Sequence, residues 1–136
     1  MEAFGPLLLG LTNFVIYFGL SLVALLLFKF FYTLVTPYDE WALVKNQNSA
    51  AACALSGAVI GFSIALGSAA TNSVSIVDFA VWAVVALIAQ IVAFFVVRMF
   101  MPLISQRIQD NETPAGIVLG AVSIAIGILN AASLTY

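Results

Sequence analysis

The sequence predicts an all-α fold: an integral membrane bundle of four transmembrane helices, built from two helical hairpin repeats of the same orientation. Three observations carry this. The chain is 64% hydrophobic and only 7% charged, with a mean hydropathy of +1.18, far from the balance of a soluble globular domain. Four apolar segments, 6–28, 49–70, 79–97 and 115–134, can be cut from it, each close to the ~20 residues that cross a bilayer as a helix. All four cations, Lys29, Lys45, Arg98 and Arg107, flank two of the connections between these segments.

The first segment, 6–28, is apolar on every side around Val23 to Phe28, which excludes a barrel strand because such a strand alternates between lumen and lipid. Glu2 stands where a basic leader would begin, so the segment reads as part of the mature protein rather than a cleaved signal. Down it, Asn13, Tyr17 and Ser21 recur at i, i+4 and i+8, forming one polar stripe that would avoid lipid. The connection that follows holds Thr36-Pro-Tyr-Asp39, which reads as a capped helix start with Thr36 as cap and Pro37 at the first position. Tyr38 and Trp41 then suit a short interfacial helix with both rings at headgroup level.

The second segment, 49–70, is rich in small residues. Ala50, Ala54, Gly57, Gly61, Ala65 and Ser68 share one face, and a Gly-x-x-x-Gly pair lets helix backbones approach closely in a membrane. In the fourth segment, 115–134, Gly116, Gly120, Ser123, Gly127 and Asn130 repeat the pattern. These two helices are expected inside the bundle, and the bulkier first and third against lipid; an interchain seam is the other use of such motifs. The third segment, 79–97, follows Asp78 and carries Gln90 near its middle. Asp78 reads either as a helix N-cap or as a proton or cation acceptor at a pore mouth.

The connection between the third segment and the fourth holds Arg107 and is preceded by Arg98, whereas that between the second and third, with Thr71 and Asn72, has no Lys or Arg. By the positive-inside bias both cation-bearing connections are cytoplasmic and both chain ends lie outside. Lys29 and Arg98 are expected to anchor the interface with snorkelling stems. Shifting the chain by 64 positions brings Ser49 onto Thr113 and Ser63 onto Gly127, which predicts a duplication of about 6–70 in 79–134 with an axis along the membrane normal.

Several chemistries are excluded. One cysteine, Cys53, allows neither an intrachain disulfide nor a thiolate cluster, and with no histidine a zinc or haem site loses its commonest ligand. Four cations make no nucleic-acid footprint. No nucleophile and base couple appears, so no enzyme, cofactor or metal is expected.

The runs Thr36-Pro-Tyr-Asp-Glu-Trp41, Lys45 to Ala51, Ser68 to Asp78, Arg98 to Pro102 and Asn130 to Tyr136 resemble the YjfL-type family of small bacterial inner-membrane proteins, which is built from a tandem pair of two-helix units. The resemblance spans essentially the whole chain. It implies a bacterial inner membrane and an envelope-stress context, with no catalytic residue.

Two functions follow as expectations. In the first, an oligomeric passive channel or proton pathway, Asn13, Asn72, Asp78 and Asn130 share an outer vestibule, and Tyr17, Ser21 and Gln90 lead inward. Its partners are the bilayer and further copies of the chain. In the second, a membrane anchor or scaffold, the inner connections with Trp41 recruit a cytoplasmic stress-response protein, and Gln90 and Asn130 are interhelical glue, worth about 0.6 kcal/mol apiece on average.

Overall fold

The computed structural model describes residues 4–134. Four helices are long and apolar enough to cross a membrane: α1 (Phe4–Val35), α3 (Ser49–Asn72), α4 (Ile76–Phe100) and α6 (Thr113–Ser133). Two short helices, α2 (Glu40–Lys45) and α5 (Ile104–Gln109), lie in the cation-bearing connections. No strand occurs among the described residues.

Side-chain size decides the centre. α3 buries Ala50, Ala54, Gly57, Ala58, Gly61 and Ala65, and α6 buries Gly116, Gly120, Ser123 and Gly127. The two helices pack so closely that a Cβ on Gly57 would fall on the Gly120 backbone, one on Gly116 on Ala50, and one on Gly127 on Gly61. Dispersion gained through this approach holds helices together where lipid supplies no hydrophobic drive. Because Ala50 meets Gly116 and the Ser68 hydroxyl reaches the Ala131 carbonyl, α3 and α6 run in the same direction.

α1 and α4 flank this pair. Tyr17 meets Phe79 edge-on and Tyr32 meets Phe94 edge-on, so they too run parallel, and Phe28 stacks on Phe62 of α3 at 4.4 Å. α1 buries only Phe28 and Tyr32. Between it and α4 an apolar cavity of about 250 Å³ is lined by Leu20, Val23, Ala24, Leu27, Phe79 and Ala83, among others.

The two short helices end alike. After α2 the Asn48 N–H donates to the Leu43 carbonyl and Gln47 N–H to Val44; after α5 Glu112 donates to Arg107 and Asn111 to Ile108. Each is a Schellman turn with a left-handed residue, Gln47 (φ 64) or Asn111 (φ 59). The Asn111 side chain accepts from Ser49 Oγ and Ala50 N, and the Ser49 and Thr113 hydroxyls, 64 positions apart, share a hydrogen bond of 2.8 Å.

Three local expectations are corrected. α2 starts at Glu40 behind Asp39, whose carboxylate accepts from Ala42 N, because Thr36 turns its hydroxyl to the Glu40 carboxyl instead of capping. Tyr38 is buried rather than set at headgroup level. α4 begins at Ile76 with Ser75 as its cap, ahead of Asp78.

Candidate functional site

Of the residues expected to form an outer vestibule, Asp78 and Asn72 are engaged locally. Ser75 Oγ accepts from Asp78 N, and Asp78 Oδ2 accepts from Val74 N, so Asp78 sits at the third position of a capping-box arrangement. Asn72 donates to the carbonyl and hydroxyl of Ser68 one turn back, and Ser21 donates to the Tyr17 carbonyl. Asn13 is exposed on α1, so the stripe it heads turns out of the bundle; only Tyr17 and Ser21 are half-buried. Asn130 is half-buried, and its Nδ2 is enclosed without a hydrogen-bond partner.

Gln90 behaves differently. It is fully buried, and its Nε2 donates to the Ser123 carbonyl of α6 at 3.0 Å. The absence of a Cβ at Gly61 makes room, since one there would stand 2.7 Å from Nε2. Gln90 Oε1 and Ser123 Oγ remain without partners, and the Tyr32 phenol, directed toward Ser123, completes no hydrogen bond either. Unpaired polar groups deep in a bundle are costly and mark functional positions by default.

This polar centre continues toward the cation-bearing end. Thr36 Oγ1 lies 2.5 Å from Glu40 Oε1, and Thr33 Oγ1 lies 3.2 Å from Glu40 Oε2. Glu40 is 1% exposed. Burial pushes its carboxyl up from the usual carboxylate value; the Thr36 hydroxyl, its own backbone N–H and the Thr33 hydroxyl oppose this, and Asp39 adds to it. Burial likewise pushes the Tyr38 phenol up, with Tyr32 and Glu40 contributing. Tyr32, fully enclosed, stands between Glu40 and Ser123. Glu40, Tyr32, Thr36 and Ser123 were absent from the residues that sequence reasoning singled out as polar sites. Ser123 carried a signal as the hydroxyl between glycines on the Gly116, Gly120, Gly127 face, and Thr36 one as an expected cap.

On the outside of the same end, Trp41 is 46% exposed, and the Lys29 and Lys45 ammoniums each lie 5.7 Å from its ring. Arg107 pairs with Glu112 at 3.3 Å, an exposed contact of small worth. Arg98 is exposed in the last turn of α4. The described residues hold no group of three or more potential metal ligands.

Residues 6–134, which hold all six described helices except the first two residues of α1, match the family described as Domain of Unknown Function (DUF350). The chain belongs to the DUF350 family. As a DUF350 protein it is 42% identical over 127 residues to the UPF0719 inner membrane protein YjfL of Escherichia coli K12, covering 93% of this chain and 96% of that one. It is 22% identical over 126 residues to the UPF0719 transmembrane protein YshE of Bacillus subtilis, covering 91% and 94%. No solved structure matches this DUF350 chain.

Proposed function

We propose that the protein is a multi-pass inner-membrane protein that carries protons passively across the bilayer, several copies associating and each providing a polar track. The observation behind this reading is the run of buried polar groups from Glu40 through Thr36 and Tyr32 to Ser123 and Gln90, in which the Tyr32, Ser123 and Gln90 oxygens have hydrogen-bonding capacity to spare. Hydroxyl and amide groups with free capacity can pass a proton by reorientation, which needs no open bore. That suits a copy whose central pair is closed by backbone contact and whose cavities are apolar. The names of the relatives support the inner membrane. The matching Schellman turns support an origin by duplication.

The experiment uses purified protein in liposomes with an enclosed pH dye and a potassium diffusion potential. Wild type should acidify or alkalise the lumen faster than protein-free vesicles, and Tyr32→Phe, which removes the hydroxyl but keeps the ring, should lose most of that rate. Asp78→Asn should retain it, because Asp78 is spent on the α4 start. Wild-type flux at the protein-free level would sink the reading.

A second reading, an anchor for a cytoplasmic partner, is favoured by Trp41 standing exposed between two ammoniums. Both readings place the cation-bearing end in the cytoplasm by the positive-inside bias. Alkaline phosphatase fused after Tyr136 should therefore be active, and activity found only when it is fused within the 46–48 turn would reverse the orientation.

A further inference from the structure

Glu40 opens α2 and Ile104 opens α5; the former is 1% exposed and the latter 0%. The two short helices close with the same pair of turn hydrogen bonds, so these are equivalent places in equivalent local folds. At one of them a hydrocarbon fills the space. The local geometry therefore does not require a carboxyl group at Glu40, where taking an ionised one out of water costs several kcal/mol or more.

The groups around Glu40 do not repay that cost as they would for a carboxylate. α3, packed against α2, has no ionisable side chain but Cys53, and α6 has none. From α1 come Lys29, whose ammonium lies over Trp41, and Tyr32; from the connection come Tyr38 and Asp39, the latter of like charge. Lys45 on α2 also turns to Trp41, and Arg98 of α4 is exposed. Among the described residues no cation lies within salt-bridge distance of Glu40.

Proton counting leads the same way. Thr36 Oγ1 has one proton and three acceptors in reach, Glu40 Oε1 at 2.5 Å, the Tyr32 carbonyl at 3.2 Å and the Tyr38 carbonyl at 3.3 Å. Thr33 Oγ1 has one proton and two, the Lys29 carbonyl at 2.8 Å and Glu40 Oε2 at 3.2 Å. As a carboxylate Glu40 accepts from its own backbone N–H but competes with carbonyls for both threonine protons. As an acid it donates from Oε1 to Thr36 Oγ1, and each threonine proton is released to a carbonyl. The short Thr36 to Glu40 separation is then an O–H···O bond with the carboxyl as donor.

We propose that Glu40 is a proton-binding site: a buried carboxylic acid, neutral at physiological pH, that takes one proton from water at the headgroup level onto Oε1 and returns it on release. Its role as the loading point of the polar track rests on the proton-carrying reading; the acid itself does not. Burial with no facing cation raises its affinity for the proton. The sign for stability follows. A raised carboxyl stabilises the fold fully below the unfolded value near ~4.3 and loses that contribution as pH rises through the folded value.

Infrared difference spectra of the full-length protein in lipid read this directly. At neutral pH the wild type should show the C=O stretch of a protonated, deuterium-exchangeable carboxylic acid, which titrates away at alkaline pH. Glu40→Gln should lose the band and the matching fall in thermal stability as pH rises from the unfolded carboxyl value through the folded one. Should Glu40→Gln not fold, the double variant Glu2→Gln/Glu112→Gln, labelled with carboxyl-¹³C glutamate, leaves Glu40 as the one labelled side chain, and the isotope-shifted acid band should remain. Absence of the acid band from the wild type at neutral pH, or its survival in Glu40→Gln, overturns the site. The acid band together with flux at the protein-free level would uphold the site and remove the transport reading alone.

Discussion

Gly61→Leu should abolish most of the folded protein, while Gly67→Leu on the same helix should fold like the wild type. A side chain at Gly61 would enter the Ser123 backbone and strike Gln90 Nε2, whereas around Gly67 nothing lies within 4 Å. Overpacking alone costs about 1–3 kcal/mol even where flexible side chains give way. Here the obstacle is a helix backbone, and the displaced Gln90 amide would lose its carbonyl partner for roughly 1–3 kcal/mol more. The measurement is the yield of monodisperse protein in mild detergent and its thermal midpoint. Equal yields and midpoints for the two variants would show that the α3 and α6 seam does not hold the bundle together.

The second large effect is expected at Asn48. Its Oδ1 accepts from Ala51 N at the start of α3, while its Nδ2 donates to the Ile108 carbonyl at 2.8 Å and the Gln109 carbonyl at 3.3 Å. One buried amide thus caps one helix and ties it to the end of another, 60 positions along the chain. Asn48→Ala loses both, about 1 kcal/mol for the cap and about 0.5–1.5 kcal/mol for the tie, since the Ile108 carbonyl keeps the Asn111 N–H. Asn48→Asp is the sharper variant, since a carboxylate keeps the cap but turns a second acceptor onto the carbonyls. It should be less stable than Asn48→Ala at neutral pH and recover on acidification, when a protonated carboxyl can donate again. Thermal unfolding across pH checks this; a flat Asn48→Asp profile with a wild-type midpoint would remove the tie.

The spanning helices and the small-residue seam were legible in the sequence because both are local properties. Hydropathy accumulates along a segment, and Gly57, Gly61, Gly116 and Gly120 mark by spacing the face that must lie against a backbone. The polar site was not legible for the opposite reason. Hydropathy breaks at Lys29, yet α1 continues to Val35, and that overhang places Tyr32, Thr33 and Thr36 where α2 folds back upon them. Glu40 is buried by residues that look like a loop. The Thr36-Pro37 pair pointed to a helix start, but Thr36 gave its hydroxyl to the carboxyl and left capping to Asp39. At Asp78 the signal was present: Ser75-Ile-Val-Asp78 has the spacing of a capping box, with Ser75 as the cap. The stripe of Asn13, Tyr17 and Ser21 shares a helix face, which does not by itself say what covers it: Asn13 is exposed, and Tyr17 and Ser21 are half-buried. α1 buries side chains fully only near its other end, at Phe28 and Tyr32, and along the rest of its length keeps edge contacts such as Tyr17 against Phe79.

That uneven packing of α1 bears on how the protein is made. α1 leaves the ribosome ahead of the other three described spans, but its aromatic partners, Phe62 on α3 and Phe79 and Phe94 on α4, are synthesised later. During that interval α1 must be held by lipid or by the insertion machinery, and its uninterrupted apolar surface suits it to wait there. Tyr32, at the end of α1, then becomes enclosed only when the later helices arrive, so the polar track cannot exist in an incompletely translated chain. On the proton-carrying proposal, this order of assembly would leave the track incomplete until α6, the last of the four described spans, is in place.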